Sequence, residues 1–580
     1  MTKPDLYKKQ FEDREAYTQK IIQSTARYKI IVAGPGTGKS YTFKKLLESK
    51  DNDNLALTFI NNLATDLQNE LGDFAKSYTF HGYCKKLLHR ISVEGIDTNF
   101  QYFPKLPLLV ISDSQYLETN LDEFDEAFNN LLDDERISFF IERGDYYNSV
   151  GHYDAVYRVL RYFQHEYVTV PSFSQVVVDE YQDFNSLEVA FIDEIAESSP
   201  VLIAGDDDQA VYAFRHASPK YVREKAIHQD FVKFDLPYCS RCPQVIVDAV
   251  CDITTKAQSI NKLQDRIDKP YICFLPDKET DSTNNPKIIH ARCSVQTLRA
   301  PYISKFIEKE IKEIPQEEID HARKKGYPCV LILGPKHYAK QINNYLKKSF
   351  KNIDYKENQK NEIDIVDGYK LLINNKESNL GWRIILKCTD YPMIEEAIQE
   401  THKSNAPLFN IIEETFRNDH LGIVSALEII KAGNEVSEEI QQKVSTYCKH
   451  TKGIESLMEI FSVDDNADQI VVDQDEDTSV SIKITTLNGS KGLSANYVFI
   501  VGMNNTGGGL SGFPSNSTDP SDNEICQLIV GITRTRKKCY LISNSRFADF
   551  SRIKKSVFID WIDPSKIDDI EVNKDYFKNI

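Results

Sequence analysis

The sequence predicts an α/β protein in which parallel sheets are flanked by helices on both faces. Short apolar runs that stop at polar residues recur along the chain, as the strands of a buried parallel sheet do. Helical patterns, such as the one over 302–314, separate these runs. This alternation favours crossover connections and therefore parallel pairing. Because the runs fall into two blocks, we expect two sheets.

The first block begins with the segment IIVAGPGTGKS, residues 30–40. Its glycines let successive backbone N–H groups point at one anion, and the dipole of a following helix attracts the same charge. Lys39 is placed to reach the terminal phosphates, and the Ser40 hydroxyl to bind Mg²⁺. We therefore predict a nucleoside triphosphate site. Its binding residues are Ala33, Gly34, Pro35, Gly36, Thr37, Gly38, Lys39, Ser40 and Tyr41.

The remaining apolar runs predict the other strands, and two helical patterns interrupt the blocks. The strands are expected at 55–59, 175–179 and 201–205, then at 286–290, 329–334, 482–486, 497–502 and 539–542. We predict a first sheet domain of residues 1–85 and 171–235 with a helical insertion at 86–170. A second sheet domain of residues 236–383 and 479–580 is expected to hold a short helical insertion at 384–478.

Carboxylates follow two predicted strands of the first block. Asp179 and Glu180 come directly after the run QVVV, at the edge of a sheet where ligands bind. Asp179 is a candidate Mg²⁺ ligand, and Glu180 a candidate base for the attacking water. Gln209 follows three adjacent acids and is predicted to connect the phosphate site to a second ligand. Tyr212 and Phe214 are candidates for stacking on bases, with a core position as the alternative.

Composition excludes several protein classes. The formal net charge of −17 argues against a protein that coats duplex DNA, although a nucleic acid could still follow a locally basic groove. No run of 18 apolar residues is present and the N-terminus is too charged for a signal peptide, so we expect a cytoplasmic protein with no membrane partner. Cys239 and Cys242 have no second pair at zinc spacing, which favours reduced thiols over a metal site.

The motifs AGPGTGKS, DEYQD and GDDDQAVYAFR, in this order, resemble those of the UvrD/Rep family of superfamily 1 helicases. The similarity extends from about residue 19 to residue 542, nearly the whole chain. Residues 58–61 and 79–82 resemble the DNA-contacting motifs of the family, 236–243 its γ-phosphate motif, and 364–374 the stretch before its mobile insertion. Residues 486–493 resemble the motif that links nucleotide to DNA, and 530–534 the last motif.

The resemblance implies two RecA-like P-loop domains, each interrupted by a helical insertion, that use ATP and Mg²⁺. The catalytic residues it implies are Lys39, Asp179, Glu180, Gln209, Arg241 and Arg534, and the metal ligands are Ser40 and Asp179. Gln19 takes the place of the adenine-reading glutamine, with Gln23 as the alternative. The implied nucleic-acid contacts are Thr58, Phe59, Asn61, Thr79, His81, Tyr212, Phe214, Thr486 and Lys491.

Three positions depart from the family pattern. Ser240 stands where the family has a tyrosine that stacks on adenine, so Tyr41 or Tyr238 is expected to take that role. Asn488 and Ser494 replace a histidine and a glutamate, which predicts weaker contacts to DNA and to the ribose. The second insertion, about 95 residues, is shorter than is typical of the family.

From the resemblance we expect an ATP-dependent 3′–5′ DNA helicase or translocase in repair, recombination or replication. Its substrate would be single-stranded DNA or DNA with a single-stranded tail. The alternative is a DNA-stimulated ATPase that senses DNA and regulates a partner protein, such as a nuclease in repair or anti-phage defence. The intact motifs disfavour a scaffold that does not hydrolyse ATP, and they do not distinguish DNA from RNA.

Overall fold

The computed structural model describes residues 3–578 except 52, 60, 92–98, 277–286, 357–361, 433–436, 439–441, 443–478, 507–511 and 547–550. The chain forms two compact units. The sheet unit comprises residues 1–80, 170–358 and 476–580, and the helical unit comprises residues 81–169 and 359–475.

The sheet unit contains a six-stranded parallel sheet. Its strands are β1 (Tyr28–Val32), β2 (Asn54–Thr58), β3 (Lys76–Thr79), β4 (Gln175–Val178), β5 (Val201–Gly205) and β6 (Phe231–Asp235). They lie in the order β3-β2-β4-β5-β1-β6. Every residue of β4 and β5 is buried, as their apolar runs require. The carboxyl ends of β4, β5 and β1 therefore lie side by side at one edge of the sheet.

A second parallel sheet of seven strands lies in the same unit. Its strands are β7 (Ile288–Cys293), β8 (Val330–Leu333), β9 (Ile353–Asp354), β10 (Ile482–Thr485), β11 (Ala495–Val501), β12 (Thr535–Asn544) and β13 (Ile567–Val572). They lie in the order β9-β10-β8-β11-β12-β7-β13, and each neighbouring pair is parallel.

Helices flank both sheets, and several begin at strong capping sequences. Asn185 and Glu188 form a reciprocal capping box, as do Ser521 and Glu524. The helices of this unit are Lys3–Gln23, Lys39–Leu47, Asn61–Leu71, Ser186–Ser198, Lys220–Ile227, Gln244–Ser259, Tyr302–Lys312, Gln316–Lys324, Lys336–Leu346 and Asp522–Ile532. The predicted α/β class, with two RecA-like sheets, is confirmed.

Four strands of the structure were not predicted from the sequence. They are β3, β6, β9 and β13, and each lies at an outer edge of its sheet. β7 also begins at Ile288 and extends to Cys293, beyond the expected 286–290. Edge strands are partly exposed, so their sequences mix polar and apolar residues; only the first and last residues of β13 are buried.

The helical unit consists mainly of helices drawn from two separate stretches of the chain. They are Phe80–Leu88, which starts one residue before the unit, then Leu106–Tyr116, Phe124–Asn129, Glu135–Tyr146, His152–Gln164, Ile365–Asn374, Asn379–Cys388, Ile394–Ser404, Leu408–Ile411 and Glu414–Lys431. None of the helices in the described ranges is both long and apolar enough to cross a membrane.

The two stretches of the helical unit share one hydrophobic core. Phe128 and Phe140 from the first stretch belong to the same buried cluster as Tyr369 and Trp382 from the second. The second stretch therefore starts earlier than the expected residue 384, because the apolar faces of helices Ile365–Asn374 and Asn379–Cys388 are buried in this core. Our sequence boundary had assigned these two helices to the second sheet domain.

A buried ion cluster also joins the two stretches. Asp113 pairs with Arg143 at 2.9 Å and with Arg383 at 2.7 Å, and all three side chains are almost completely buried. The Tyr147 hydroxyl donates a hydrogen bond to the same carboxylate at 2.6 Å. Removing the carboxylate would leave two buried guanidinium groups without their counter-ion, which is costly.

Candidate nucleotide and nucleic-acid site

The segment between β1 and helix Lys39–Leu47 folds as an anion-binding loop. Gly36 has φ +73°, and a Cβ there would lie 2.5 Å from the Cβ of Arg241, so only glycine fits. The Thr37 hydroxyl donates to the Gly34 carbonyl at 2.8 Å, which fixes the curl of the loop. The Lys39 ammonium donates to the Ala33 carbonyl at 3.3 Å and thus lies against the loop.

Two acidic side chains stand beside this loop at the end of β4. The Asp179 carboxylate accepts a hydrogen bond from the Glu180 backbone at 2.9 Å, and Glu180 adopts a left-handed φ of 55°. Burial and the neighbouring Glu180 carboxylate raise the pKa of Asp179 to about 7. Burial would also raise the pKa of Glu180, but Lys491, Lys39 and a hydrogen bond from Gln182 hold it low, at about 2. Glu180 is therefore ionised.

Gln182 was not anticipated from the sequence, and it orients Glu180. Its amide donates to Glu180 Oε2 at 2.6 Å, and its oxygen accepts from the Asp206 backbone at 2.9 Å. The side chain is completely buried. Its position in the DEYQD motif was the only signal in the sequence.

Lys491, a predicted nucleic-acid contact, is buried in this structure. Its ammonium is ion-paired with Asp183, lies 3.4 Å from Glu180 Oε2, and donates to the Gln209 carbonyl at 2.9 Å. Burial acts against the charge, but the two carboxylates raise the pKa of Lys491 above its usual value. Lys491 therefore belongs to the phosphate side of the site.

Two arginines from different elements reach the same cleft: Arg534 directly precedes β12 of the second sheet, and Arg241 follows the short strand Tyr238–Cys239. Arg534 donates to Gln209 Oε1 at 2.7 Å and to the Val530 carbonyl at 2.9 Å. Burial, together with the nearby Arg241 charge, lowers the pKa of Arg534 to about 10. Arg241 lies on the turn that packs against Gly36, where the Ser240 backbone donates to the Gly36 carbonyl at 2.9 Å.

The three acids after β5 surround a buried lysine. Lys269 Nζ lies 3.0, 2.7 and 2.8 Å from carboxylate oxygens of Asp206, Asp207 and Asp208. Arg266 adds a bidentate contact to Asp208, at 2.7 and 3.0 Å. Although the three carboxylates cluster closely enough to hold a metal ion, the ammonium already occupies the space between them. The three acids are therefore neutralised by Lys269 and Arg266, which are distant from them in the sequence.

The thiols of Cys239 and Cys242 are buried and free. Tyr271 donates to the Pro35 carbonyl at 3.1 Å and to Cys239 Sγ at 3.3 Å. Its ring also covers Gly34, where a Cβ would lie 2.6 Å from Tyr271 Cδ2. The pair therefore packs behind the phosphate loop, and Tyr271 is a loop contact that the sequence gave no reason to expect.

A small open pocket lies beside the loop. Gly38, Thr37 and Tyr41 line one side of it, and Arg14, Tyr17 and Tyr238 line the other. Both tyrosines that we expected to replace Ser240 are thus present. Gln19 does not line the pocket, because it points along its own helix and donates to Glu15 at 3.0 Å, and the alternative Gln23 is exposed.

Aromatic side chains form a stepped cluster next to Gln209, in which Phe59 is buried and Phe214 is exposed. The ring of Tyr212 lies 5.3 Å from that of Phe59 and 5.8 Å from that of Phe214. The Arg215 guanidinium lies 4.2 Å above the Phe59 ring, and Lys491 lies 5.7 Å from the Tyr212 ring. Phe214 is 66% exposed, so it is not a core residue. We call Phe59, Tyr212, Phe214 and Arg215 the aromatic ladder.

The other residues expected to contact nucleic acid are more scattered. Thr58 is completely buried at the end of β2, so its hydroxyl cannot reach a ligand in this state. Thr79 ends β3, and the Thr486 hydroxyl accepts a hydrogen bond from the Gly489 backbone at 3.1 Å. His81 belongs to the helical unit, where its ring lies 5.3 Å from that of His152. The Asn61 side chain lies outside the described part of the chain.

Two of the departures from the family pattern have visible contacts. The Asn488 carbonyl accepts a hydrogen bond from the Tyr212 hydroxyl at 3.3 Å. The Ser494 hydroxyl accepts one from Arg536 at 3.0 Å. The Ser494 side chain therefore supports a neighbouring side chain, whereas Asn488 does so through its backbone and its Oδ1 is buried without a hydrogen-bond partner. The Ser40 hydroxyl forms a hydrogen bond with the Glu70 carboxylate. Burial raises the pKa of Glu70, and the bond with Ser40 opposes this with a smaller effect.

Comparisons with known proteins agree with this geometry. A family model described as an AAA domain matches residues 15–215. The ATP-dependent DNA helicase PcrA of Bacillus subtilis is 27% identical over 254 residues, which cover 34% of this chain and 33% of that protein. PcrA of Staphylococcus aureus is 24% identical over 249 residues, covering 34% and 33%.

A third relative is similar along most of its length. The probable DNA helicase II homolog of Mycoplasma capricolum is 22% identical over 662 residues, which cover 94% of this chain and 86% of that protein. The chain thus matches about a third of each PcrA protein and most of the Mycoplasma protein. Together with the motifs around the cleft, these similarities support the resemblance of the chain to the UvrD/Rep family of superfamily 1 helicases.

Proposed function

We propose that this protein is an ATP-dependent DNA helicase or translocase that moves 3′–5′ on single-stranded DNA. One observation carries the proposal: an unbroken series of contacts runs from the phosphate cleft to the aromatic ladder. Arg534 contacts the Gln209 side chain, the Gln209 carbonyl accepts from Lys491, and Lys491 lies over Tyr212. A change at the γ-phosphate can therefore alter the surface on which bases would stack.

The residues of the cleft divide the work of hydrolysis. Lys39 and the loop N–H groups would hold the phosphates, and Glu180 would orient the attacking water and accept its proton. Arg241 and Arg534 would stabilise the negative charge that develops on the transferred phosphoryl group, a contribution on the order of 10³ to 10⁵ in rate in related enzymes. Because Arg534 adjoins the second sheet and the phosphate loop follows β1 of the first, loss of the γ-phosphate would free the two sheets to separate.

A magnesium ion fits the side chains of the cleft. The Asp179 carboxylate is buried with a raised pKa, so a bound cation would favour its ionised form. Carboxylate and hydroxyl oxygens are the ligands that Mg²⁺ prefers, and Asp179 and Ser40 would supply them. When bound, the ion would neutralise charge on the β- and γ-phosphates.

The aromatic ladder offers stacking surfaces that do not depend on base identity. Stacking on aromatic side chains is worth about 1–3 kcal/mol per base, and Arg215 adds a cation to the same surface. These contacts suit a strand that must be released at every cycle. The names of the relatives refer to DNA helicases, which supports DNA as the ligand and single-stranded DNA, or a duplex with such a tail, as the track.

The test is ATP hydrolysis with and without single-stranded DNA, at a stated salt concentration, followed by strand separation of a 3′-tailed duplex. Wild type and the exposed control Lys50→Ala should hydrolyse ATP faster with DNA, whereas Lys39→Ala should be inactive. Hydrolysis that ignores DNA would overturn the motor proposal. DNA-stimulated hydrolysis without unwinding or translocation would favour the alternative, an ATPase that senses DNA and regulates a partner such as a nuclease.

A further inference from the structure

The buried ion cluster of the helical unit carries an unbalanced positive charge. Its charged side chains, Asp113, Arg143 and Arg383, are at most 1% exposed, so one carboxylate faces two guanidinium groups. Burial disfavours the charge of both arginines, but Asp113 and Tyr147 still raise the pKa of each guanidinium above its usual value. In the part of the chain that the structure describes, neither arginine has a second carboxylate within ion-pair distance. One positive charge is therefore left without a partner, which is costly inside a protein.

The hydrogen bonds of the cluster place this charge on the outer nitrogens of Arg383. Arg383 Nε donates to Asp113 Oδ1 at 2.7 Å. The other carboxylate oxygen, Oδ2, accepts from Arg143 Nε at 3.0 Å and from the Tyr147 hydroxyl at 2.6 Å. Nη1 and Nη2 of Arg383 are buried, and no acceptor among the described residues lies within hydrogen-bond distance of either. Most of the donors of this guanidinium therefore lack an acceptor from the protein.

The surroundings of Arg383 do not supply the missing negative charge. Apart from Asp113, the groups that act most strongly on the charge of Arg383 are two tyrosines, Tyr147 and Tyr116. Lys387, one turn further along helix Asn379–Cys388, is half-buried, and burial together with the Arg383 charge lowers its pKa. A bound anion would accept the free N–H groups and also neutralise the charge. A water molecule would accept the N–H groups but leave the charge unbalanced.

We propose that Arg383 binds a small monovalent anion, such as chloride, through Nη1 and Nη2. A single negative charge matches the one that Asp113 leaves unbalanced. Complete burial of Arg383 favours an ion of the size of chloride over a nucleotide phosphate or an organic carboxylate. Asp113 and Arg143 belong to the first stretch of the helical unit and Arg383 to the second. The anion therefore stabilises the junction of the two stretches, and its binding does not depend on nucleotide hydrolysis.

The test is hydrogen exchange of the full chain, without nucleotide or DNA, while chloride replaces glutamate at constant ionic strength. Glutamate is too large to enter the site. Because chloride would bind only the closed helical unit, exchange of helices Leu106–Tyr116 and Asn379–Cys388 should slow by up to about tenfold for each tenfold rise in chloride. Helix Lys336–Leu346 of the sheet unit should show no chloride dependence and serves as the internal control.

Two variants assign the effect to Arg383. Arg383→Met removes the unbalanced charge and the donors but leaves Asp113 paired with Arg143, so its exchange should not depend on chloride, whatever its stability. The matched control Arg90→Met, at an exposed arginine of the same unit, should keep the wild-type dependence. Equal chloride dependence in wild type and folded Arg383→Met would overturn the proposal, as would wild-type exchange that does not respond to chloride.

A crystal of the wild-type protein grown in sodium bromide tests the site even if Arg383→Met does not fold. Bromide scatters anomalously near its absorption edge, so an anomalous peak within hydrogen-bond distance of Arg383 Nη1 and Nη2 is expected. Density there without an anomalous signal would indicate an ordered water and would overturn the proposal. A peak without any chloride effect on exchange would indicate an adventitious ion only, which would also overturn it.

Discussion

At the scale of single residues, Glu180 is the best candidate for activating water. Its low pKa and the hydrogen bond from Gln182 keep it ionised and oriented. We expect Glu180→Gln to bind nucleotide and DNA normally but to lose turnover by about 10²- to 10⁴-fold, as for removal of a general base. Stopped-flow nucleotide binding and steady-state hydrolysis measure the two effects. Glu197→Gln, an exposed change at the opposite edge of the same sheet, is the control, and near-normal turnover of Glu180→Gln would remove Glu180 from the reaction.

Substitution of Lys491 tests whether residues 486–493 contact DNA or the phosphates of the nucleotide. Because its ammonium neutralises two buried carboxylates, Lys491→Met should destabilise the protein by about 3 kcal/mol and impair hydrolysis. Affinity for single-stranded DNA without nucleotide should stay within about twofold of wild type. If Lys491 contacted a DNA phosphate, its loss would instead weaken DNA binding and reduce the salt dependence of binding. Denaturant unfolding measures the loss of stability, and DNA titration at two salt concentrations measures the affinity.

The control is Lys483→Met, at a partly exposed lysine of β10. A stable Lys491→Met variant with weak DNA binding would support the expectation that Lys491 contacts nucleic acid.

Sequence reasoning at this scale succeeded where a residue type and its neighbours already imply chemistry. Lys39, Asp179 and Glu180 converge as their motifs suggest. It missed Lys269 and Tyr271, because each contributes through a partner more than 50 positions away. Nothing in the local sequence distinguishes such a buried lysine from a solvated one. The role of Gln19 stays a prediction, because spacing fixes its position on the helix but not the face it presents.

At the scale of elements, the turn that carries Tyr212 and Phe214 should couple hydrolysis to DNA. Phe214 is exposed at the end of the aromatic ladder, so Phe214→Ala removes a stacking surface without opening a cavity. The DNA concentration that half-saturates ATPase stimulation should rise by roughly 5- to 100-fold. ATP affinity should be unchanged, and the melting temperature should be that of wild type.

A matched control is available on the same sheet unit. Ile227 is 87% exposed at the end of its helix and away from the ladder, so Ile227→Ala should leave DNA stimulation intact. If both variants behave alike, the ladder has no special role. If Phe214→Ala unfolds, Phe214 contributes to packing despite its exposure.

The elements that the sequence revealed are those buried on both faces. β4 and β5 are continuous apolar runs, and their positions followed directly. The four edge strands went unrecognised because an edge strand needs only a few apolar residues, and its pairing is decided by the neighbouring strand. The helices Ile365–Asn374 and Asn379–Cys388 fall in the segment that the sequence assigns to the second sheet domain, because their side of the domain boundary depends on packing with a distant stretch.

At the scale of the whole molecule, the two chain stretches of the helical unit depend on one core, and His420 lies in it. The ring is completely buried and shares a hydrogen bond of 2.8 Å with the Tyr369 hydroxyl. Burial lowers its pKa from 6.5 to about 4, against the opposing charge of Asp419. The folded unit therefore holds a neutral histidine that the unfolded chain would protonate more readily.

The sign of the pH effect follows from this difference. Above pH 6.5 both states are neutral and the packing of His420 contributes fully; as pH falls toward 4 the unfolded state binds the extra proton. Between pH 7.5 and 5.5 the free energy of opening should fall by about 1.3 kcal/mol, so exchange should become about tenfold faster. Hydrogen exchange of helices Ile365–Asn374 and Glu414–Lys431, corrected for intrinsic rates, measures this free energy of opening.

Two variants test whether His420 is responsible. His420→Gln should remove the pH dependence, whereas His402→Gln, at an exposed histidine of the same unit, should retain it. Equal pH dependence in wild type and His420→Gln would show that another group controls the opening.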